Sequence, residues 1–366
     1  MSELSWRKVL LGLAPFVLAL ASVSALLVAV GAPPGEAYRQ ILQGAFESPA
    51  KMADVLAFGV PLLLCASGLL LTFTAGLWNI GIEGQIAMGA IFASAVALYV
   101  RLPAGLQIPL EILAAMVGGA LWAAIAAWLR NVAQVNEIFS GTALNYLATN
   151  LTTWLISGPW QPPEGGSVHS TPIFGRHAVL PMMTGLRVSW VALLLAALGF
   201  AVVVLALRGT HWGLQLRAMG RSRASAHILG VRVERNTILS MAACGALAGV
   251  AGAMRALGTY QSLRPLISGN IGFLALLVVM LASTKATWVP FIVVFFAAIL
   301  TGSQRLNLVM QLDDSVGGVL QGFLVLFAVL IGGVRQRLEA ASTASRGRQP
   351  QSSAGAGPAG EGEALA

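Results

Sequence analysis

Long apolar runs alternate with short polar segments along most of the chain. Ten of these runs have the length of about 17–25 residues that a helix needs to cross a bilayer. They occupy approximately residues 9–31, 53–73, 79–100, 107–129, 132–157, 189–207, 237–258, 269–284, 287–304 and 315–334. The pattern predicts an all-α polytopic membrane protein with about ten transmembrane helices.

The third run differs from a plain membrane span because polar and flexible residues interrupt it. The stretch from Thr72 to Ala90 contains Asn79, Glu83 and Gln85 together with four glycines. Glycine weakens a helix, and an ionisable side chain in the hydrocarbon region costs at least ~2.5 kcal/mol on insertion scales. The stretch is therefore typical of a broken helix that lines a cavity. A glycine-rich packing face, with Glu83 near the headgroups, is the alternative.

A short repeated motif links this stretch to the second half of the chain. The triplet Asn-Ile-Gly begins the third run at residues 79–81 and the eighth run at residues 270–272. With ten alternating spans, the first triplet enters the membrane from the inside and the second from the outside. This arrangement is typical of inverted-repeat halves, in which paired broken helices meet a substrate near the midplane.

The basic residues predict the orientation of the chain, because lysine and arginine accumulate in cytoplasmic loops. Most of the 22 basic residues fall on one side if both termini are cytoplasmic, including six arginines from Arg208 to Arg235. The outer side then holds the proline- and glycine-rich segment from Gly158 to Arg187, whose backbone could not be satisfied in lipid. It also holds residues 35–49, whose apolar spacing predicts a short interfacial helix.

These patterns predict one membrane domain followed by a tail. The transmembrane domain covers residues 1–337, with an extracytoplasmic loop at 158–188 and a cytoplasmic loop at 208–236. The segment 338–366 is rich in Ala, Ser, Gly and Gln, and this composition predicts a disordered cytoplasmic tail.

Composition and motifs exclude several other classes of protein. Hydrophobic residues make up 57% of the 366 and charged residues 10%, so a soluble domain is excluded. The net charge of +8 then acts as a topology signal and does not indicate a nucleic-acid partner. Cys65 and Cys244 form no metal-binding spacing, and no glycine-rich phosphate loop precedes any of the three lysines. The sequence therefore predicts no enzyme activity, no cofactor and no metal site.

Neutral polar and aromatic residues in the predicted spans are candidates for a substrate pathway. Amides donate and accept hydrogen bonds and aromatic faces stack on rings, so such a lining suits a neutral, hydroxyl-rich ligand. Interhelical amides that only hold helices together are the alternative. The candidates are Trp78, Asn79, Glu83, Gln85, Asn145, Tyr146, Asn150, Asn270 and Phe273.

Three of the polar positions have more specific alternatives. Glu83 is either a pore residue or a structural group that accepts backbone N–H bonds at the start of a broken helix. Glu137 is expected at a helix end or an inner gate. Asn270 and Phe273 are expected at an external gate.

The arginine-rich loop contains a short stretch with helical periodicity. Ala224 and Ala226 lie six and four residues before Gly230, and a small rigid helix of this kind suits docking into a groove of a soluble partner. An ordinary positive-inside loop that also contacts anionic lipid is the alternative.

Three segments resemble the permease subunits of bacterial ABC importers for simple sugars, nucleosides and branched-chain amino acids, and above all the nucleoside and simple-sugar branch. They are GLWNIGIEGQ at 76–85, VNEIFSGTALNYLATNL at 135–151 and GLQLRAMGRSRASAHILGV at 213–231. With SMAACGALAGVAGA at 240–253 and the terminal spans, the similarity covers most of residues 50–335. The segment GFLALLVVMLAST at 272–284 departs from the family pattern, as does Ala224, where an acid can stand.

The resemblance implies a multi-pass protein of the bacterial plasma membrane with several partners. These would be a cytoplasmic ABC ATPase, an extracytoplasmic binding lipoprotein, and a second permease copy or a paralogue. The third segment corresponds to the loop that presses on the ATPase, which assigns coupling roles to Arg217, Arg221, Ala224, Ala226 and Gly230.

The sequence thus predicts the permease of an ABC importer for a neutral nucleoside or simple sugar. A branched-chain amino acid permease is the alternative within the class. An ion-coupled secondary transporter is the alternative from another class, and Glu83 is its one obvious candidate for an ion site.

Overall fold

The computed structural model describes residues 3–162, 170–312 and 315–346, and its named elements are all helices. The α-helices are α1 (Glu3–Ala29), α2 (Pro34–Phe46), α3 (Pro49–Thr74), α4 (Ile82–Tyr99), α5 (Ala104–Val132), α6 (Glu137–Ser157), α7 (Trp190–Gly209), α8 (His211–Arg221), α9 (Arg223–Ile228), α10 (Val233–Ala253), α11 (Ile271–Leu281), α12 (Val289–Met310) and α13 (Ser315–Arg346). Short 3₁₀ turns lie at Arg176–Ala178 and Ala286–Trp288, and a π-helical turn at Met254–Thr259 extends α10.

A helix overlaps each of the ten predicted runs, so the all-α, polytopic prediction is confirmed at this level. Among the described residues, six helices are long and apolar enough to cross a membrane, or seven if residues 17–29 of α1 and the helix α2 count as one bent span. The number of ten spans, the inverted repeat and the cytoplasmic termini stay predictions.

The centre of the molecule is built on glycines that let helix backbones touch. A Cβ placed on Gly89 of α4 would lie 2.2 Å from the Cα of Gly249 in α10. A Cβ on Gly119 of α5 would lie 2.1 Å from the carbonyl oxygen of Gly245. In lipid there is no hydrophobic driving force between helices, so membrane helices associate through close packing, which small residues allow. These contacts hold α4, α5 and α10 in one buried cluster.

The predicted short helix after the first span is present as α2, and it turns 113° away from residues 17–29. Its Gly44 packs on α12, because a Cβ there would lie 2.7 Å from the carbonyl oxygen of Gly302. The hydroxyl of Tyr38 donates to the carbonyl of Leu20 at 2.9 Å, which ties α2 to α1. Its place at the outer membrane surface stays a prediction.

The predicted outer loop packs on the segment that precedes α11. Thr171 N–H donates to Leu263 at 3.0 Å, and Phe174 N–H donates to Gln261 at 2.9 Å. Residues 163–169 of this loop lie outside the described part. Helix α13 runs to Arg346, beyond the predicted boundary at 337, and the rest of the predicted tail lies outside the described residues.

Candidate functional site

Two helix starts meet in the interior of the molecule. Helix α3 ends at Thr74 and α4 begins at Ile82, so the helical conformation is interrupted over residues 75–81, which we call the break. Helix α11 begins at Ile271, directly after Asn270, which has a left-handed backbone with φ of 61°. A Cβ on Gly272 would lie 2.7 Å from the Ile82 side chain, so the two starts are in contact. The two Asn-Ile-Gly triplets that the sequence singled out thus lie at one junction.

Glu83 binds the start of α11. Its Oε1 accepts a hydrogen bond from Phe273 N–H at 3.0 Å, and its side chain is buried. The first N–H groups of a helix have no partner within the helix and carry partial positive charge, so a carboxyl group there is stabilised. Of the two roles left open for Glu83, this geometry matches the structural one.

Asn79 and Gln85 form a closed amide pair. Asn79 Nδ2 donates to Gln85 Oε1 at 3.0 Å, and Gln85 Nε2 donates to Asn79 Oδ1 at 2.8 Å. Asn79 also approaches the Cys244 sulfur at 3.1 Å, and both amides are buried. The pair fastens the break to the first turn of α4. In this conformation the amides face each other and not an open cavity.

Asn145 fastens α6 to the same junction. Its Oδ1 accepts from Gly84 N–H at 2.8 Å, and its Nδ2 donates to the carbonyl of Ile80 at 2.9 Å. A Cβ on Gly84 would lie 3.0 Å from Asn145 Oδ1 and 2.9 Å from the indole nitrogen of Trp122. The glycine is therefore required by the contact between α4 and α6.

The opposite face of α6 is exposed and carries uncharged polar groups. Tyr146 is 69% exposed, and Thr142, Asn150 and Thr153 are exposed along the same stripe at helical spacing. Asn150 Nδ2 donates to the carbonyl of Tyr146 at 2.8 Å, and both threonine hydroxyls also donate within the helix. A hydroxyl that donates in this way keeps its acceptor lone pairs. We call Thr142, Tyr146, Asn150 and Thr153 the α6 stripe.

The remaining pathway candidates lie around the junction. Asn270 and Phe273 are exposed beside the start of α11. Trp78, in the break, is half exposed, and its backbone N–H donates to Glu137 Oε1 at 3.5 Å. Glu137 also forms an ion pair with Arg130 at the end of α5, so it links the break to both α5 and α6.

Arg255 is a residue of this site that the sequence reasoning left unassigned. It lies in the π-helical turn, and its Nε donates to the carbonyl of Ile267 at 3.1 Å. Its Nη2 donates to the hydroxyl of Tyr260 at 2.8 Å, and the guanidinium lies 4.8 Å from the centre of that ring. Arg255 therefore organises the segment that leads into α11. A lone arginine in an apolar helix was the available signal.

The arginine-rich loop forms α8 and α9, and α8 touches the break. A Cβ on Gly220 would lie 2.2 Å from the carbonyl oxygen of Thr74, at the end of α3. Arg217 Nη2 donates to the carbonyl of Leu207 at 2.6 Å and so caps the end of α7. This loop and the broken helix are thus in direct backbone contact.

The predicted coupling residues divide by exposure. Arg217, Arg221, Ala224 and Gly230 are exposed, whereas Ala226 is buried and supports the α9 turn from within. Gly230 has a φ of 80° and ends the turn. The exposed apolar side chains of this turn were missed by the sequence reasoning: Ile228 is 84% and Leu229 77% exposed. Two consecutive aliphatic residues in an arginine-rich loop were the signal.

Among the described residues, no group of three His, Cys, Asp or Glu side chains could hold a metal ion. The structure brings Trp78, Asn79, Glu83, Gln85, Asn145, Asn270 and Phe273 to the junction. It leaves Tyr146 and Asn150 on the outward face of α6.

Comparisons with known proteins match most of the chain. A family model described as the permease component of the branched-chain amino acid transport system matches residues 51–329. The glucose ABC transporter permease protein TsgB13 of Haloferax volcanii is 30% identical over 321 residues, which cover 85% of this chain and 84% of that protein.

Two further relatives carry nucleoside names. The guanosine ABC transporter permease protein NupP of Bacillus subtilis is 25% identical, over 87% of this chain and 92% of its own length. The nucleoside ABC transporter permease protein NupB of Lactococcus lactis is 26% identical, over 81% of this chain and 84% of its own length. The matched region covers more than half of the chain and includes both helix starts, α6 and the α8–α9 loop. The chain therefore belongs to this permease family, as a multi-pass membrane subunit of the sugar and nucleoside ABC transporter type.

Proposed function

We propose that this chain is the membrane subunit of an ABC importer for a neutral nucleoside or simple sugar. An external binding protein delivers the ligand, and a cytoplasmic ATPase drives its passage by alternating access. The named relatives are glucose, guanosine and nucleoside permeases, which supports this ligand class over branched-chain amino acids.

The observation that carries the proposal is the character of α6. Its 21 residues give a length of about 31 Å, enough for the hydrocarbon core of about 30 Å. It is nevertheless not among the six helices of the described residues that are long and apolar enough to cross a membrane. An exposed polar face on a membrane helix requires water, a ligand or a partner chain against it. We infer that the α6 stripe lines the pathway, between this chain and a second permease.

The chemistry of the stripe fits an uncharged ligand. Hydroxyl and amide groups exchange hydrogen bonds with sugar hydroxyls, and the Tyr146 ring offers a face for a base or a sugar. The stripe contains no carboxylate or ammonium group to balance an amino acid zwitterion. Of the two acids near the junction, Glu83 lies in α4 and binds the start of α11, and Glu137 is paired with Arg130.

The route from the ATPase to the junction is short. We infer that Ile228 and Leu229 form an apolar contact in a groove of the ATPase, flanked by Arg221, Ala224 and Gly230. Motion of α9 reaches α8, whose Gly220 rests on the end of α3 at Thr74. The break over residues 75–81 and the start of α4 then move with it.

Uptake into proteoliposomes tests the proposal. The complex with its ATPase and binding protein is supplied with ATP and with labelled guanosine, uridine, glucose or leucine. ATP-dependent uptake of a nucleoside or sugar is expected. It should fall in Tyr146→Ala and persist in the matched variant Leu198→Ala, on the apolar face of α7. Uptake of leucine alone, or uptake driven by a pH gradient without ATP, would contradict the proposal.

A further inference from the structure

A cavity of about 670 Å³ lies where the arginine-rich loop meets the ends of the membrane helices. Its walls come from the ends of α3 and α7, from α8, and from the turn between α11 and α12. It is separate from the helix junction and from the α6 stripe. Gly220 and Arg221 in its lining also belong to the proposed route from the ATPase, but neither that route nor the proposed substrate pathway requires a ligand in the cavity.

Among the described residues, four basic side chains and no carboxylate line this cavity. They are Arg208, Arg217, Arg221 and Lys285. Arg208 Nη2 donates to the hydroxyl of Thr287 at 3.0 Å, which holds its guanidinium at the cavity wall. The ion pairs within the described residues are formed by Arg39, Arg130 and Arg305. The cavity therefore concentrates positive charge that the described part of the chain leaves unneutralised.

Apolar surface adjoins these charges. Val204 and Leu207 of α7 form one wall, and Trp288 stands at the start of α12. The rings of Trp288 and Phe291 lie 6.2 Å apart and are 58% and 67% exposed. Tryptophan is enriched where a membrane helix reaches the headgroup layer. The site thus pairs a cationic pocket with an exposed aromatic surface and a partly buried aliphatic wall.

We propose that this cavity binds the headgroup of an anionic phospholipid. Guanidinium groups recognise phosphate through charged hydrogen bonds, and basic pockets between membrane helices are typical sites for anionic headgroups. The acyl chains would lie along α7 and the Trp288–Phe291 surface. An acidic segment of the ATPase would also meet the charges, but it would leave these apolar walls exposed. The lipid would join α7 and α12 to α8, beside the contact of Gly220 with α3.

Native mass spectrometry of the purified transporter complex tests this site. The complex is titrated with phosphatidylglycerol and, in parallel, with phosphatidylcholine. The test variant is Arg208→Gln combined with Lys285→Gln, because neither residue belongs to the predicted ATPase contact. The control is Arg232→Gln combined with Arg235→Gln, which removes the same charge from exposed positions outside the cavity.

The expected result is retention of phosphatidylglycerol by the wild type and the control, with about 30-fold weaker binding in the test variant. If the double variant does not assemble, Lys285→Gln alone should weaken binding about fivefold. Equal binding in the test variant, equal loss in the control, or equal retention of phosphatidylcholine would overturn the proposal.

Two further arms separate the lipid from other anions. Displacement of the lipid by excess inorganic phosphate would identify a free anion site and overturn the proposal. Loss of the lipid when the ATPase joins the isolated permease would identify an ATPase contact and overturn it as well. Retention in both arms supports the lipid. Because no transport substrate is present, the result is independent of the proposed substrate class.

Discussion

Helices α6 and α7 have almost the same length and opposite surfaces. Both leave much of their outward face exposed in the single chain. On α7 that face consists of apolar residues such as Leu194, Leu198 and Leu205. On α6 the α6 stripe lies beside the exposed apolar side chains of Phe139, Leu147 and Trp154. Exposure alone therefore does not identify the surface that meets lipid.

The inward faces of the two helices differ as well. Helix α6 is fixed to the junction by the two hydrogen bonds of Asn145 and by the contact of Gly141 with Gly81. Helix α7 packs on α3 and α8, away from the junction. A helix whose outward face carries a polar stripe beside apolar residues, and which is fastened to the broken helices inside, fits a moving pathway wall. A helix that is apolar outside fits a lipid-facing support.

The largest expected effect distinguishes the two outward faces directly. Leu198→Asp places a charge in lipid, which costs about 2.5–3.5 kcal/mol on insertion scales, so the yield of inserted protein should fall sharply. Tyr146→Asp, at a similar position in α6, should insert and keep its melting temperature within a few degrees. Fluorescence-detected size exclusion and thermal melting measure both. Equal losses would show that α6 also faces lipid.

The next effect concerns the junction behind α6. Glu83→Ala removes the acceptor of the Phe273 N–H and should destabilise the protein by about 1.5–3 kcal/mol, the range for a hydrogen bond to a charged group. Glu83→Gln keeps an acceptor oxygen and should recover part of this loss. Thermal melting measures stability, and uptake against pH should keep its profile in Glu83→Gln. A lost pH dependence would assign proton coupling to Glu83.

Packing between α4 and α6 gives a third test. Gly84→Leu forces side-chain atoms into Asn145 and Trp122, and overpacking of this kind costs about 1–3 kcal/mol. We expect uptake to fall more than expression, because the clash moves α6 away from α4. The matched control is Gly322→Leu, a helical position where a Cβ meets nothing within 4 Å. A similar loss of uptake in the control would show that the effect of Gly84→Leu does not come from the packing of α4 against α6.

The smallest effect concerns the α6 stripe itself. Asn150→Ala removes one neutral amide from the proposed lining and should weaken uptake by about 0.5–1.5 kcal/mol, or about two- to tenfold. Expression and ATP hydrolysis without ligand should stay at wild-type levels. Leu194→Ala on α7 should leave uptake unchanged. If both variants behave alike, the stripe does not contact the ligand.

Sequence patterns predicted the elements of the fold well and their assembly less well. Apolar runs gave the positions of the long helices, because length and hydropathy are local properties. The glycines and polar residues at 76–89 indicated the break at 75–81, and two Asn-Ile-Gly triplets indicated paired starts. The contact between those starts was not predictable, since it depends on how α4, α10 and α11 pack.

In the candidate site, the difference between what the sequence predicted and what the tertiary structure decided is larger. The chain's own residues identified a family and the classes of side chain that a neutral ligand would meet, because motif and composition are carried by the sequence. Only the tertiary structure decided that Asn79 and Gln85 bond to each other, that Glu83 holds α11, and that the α6 stripe faces outward. Burial and hydrogen-bond partners are set by contacts between residues far apart in the chain, such as Glu83 with Phe273. No local sequence pattern therefore shows that the amides of Asn79 and Gln85 are buried whereas that of Asn150 is exposed.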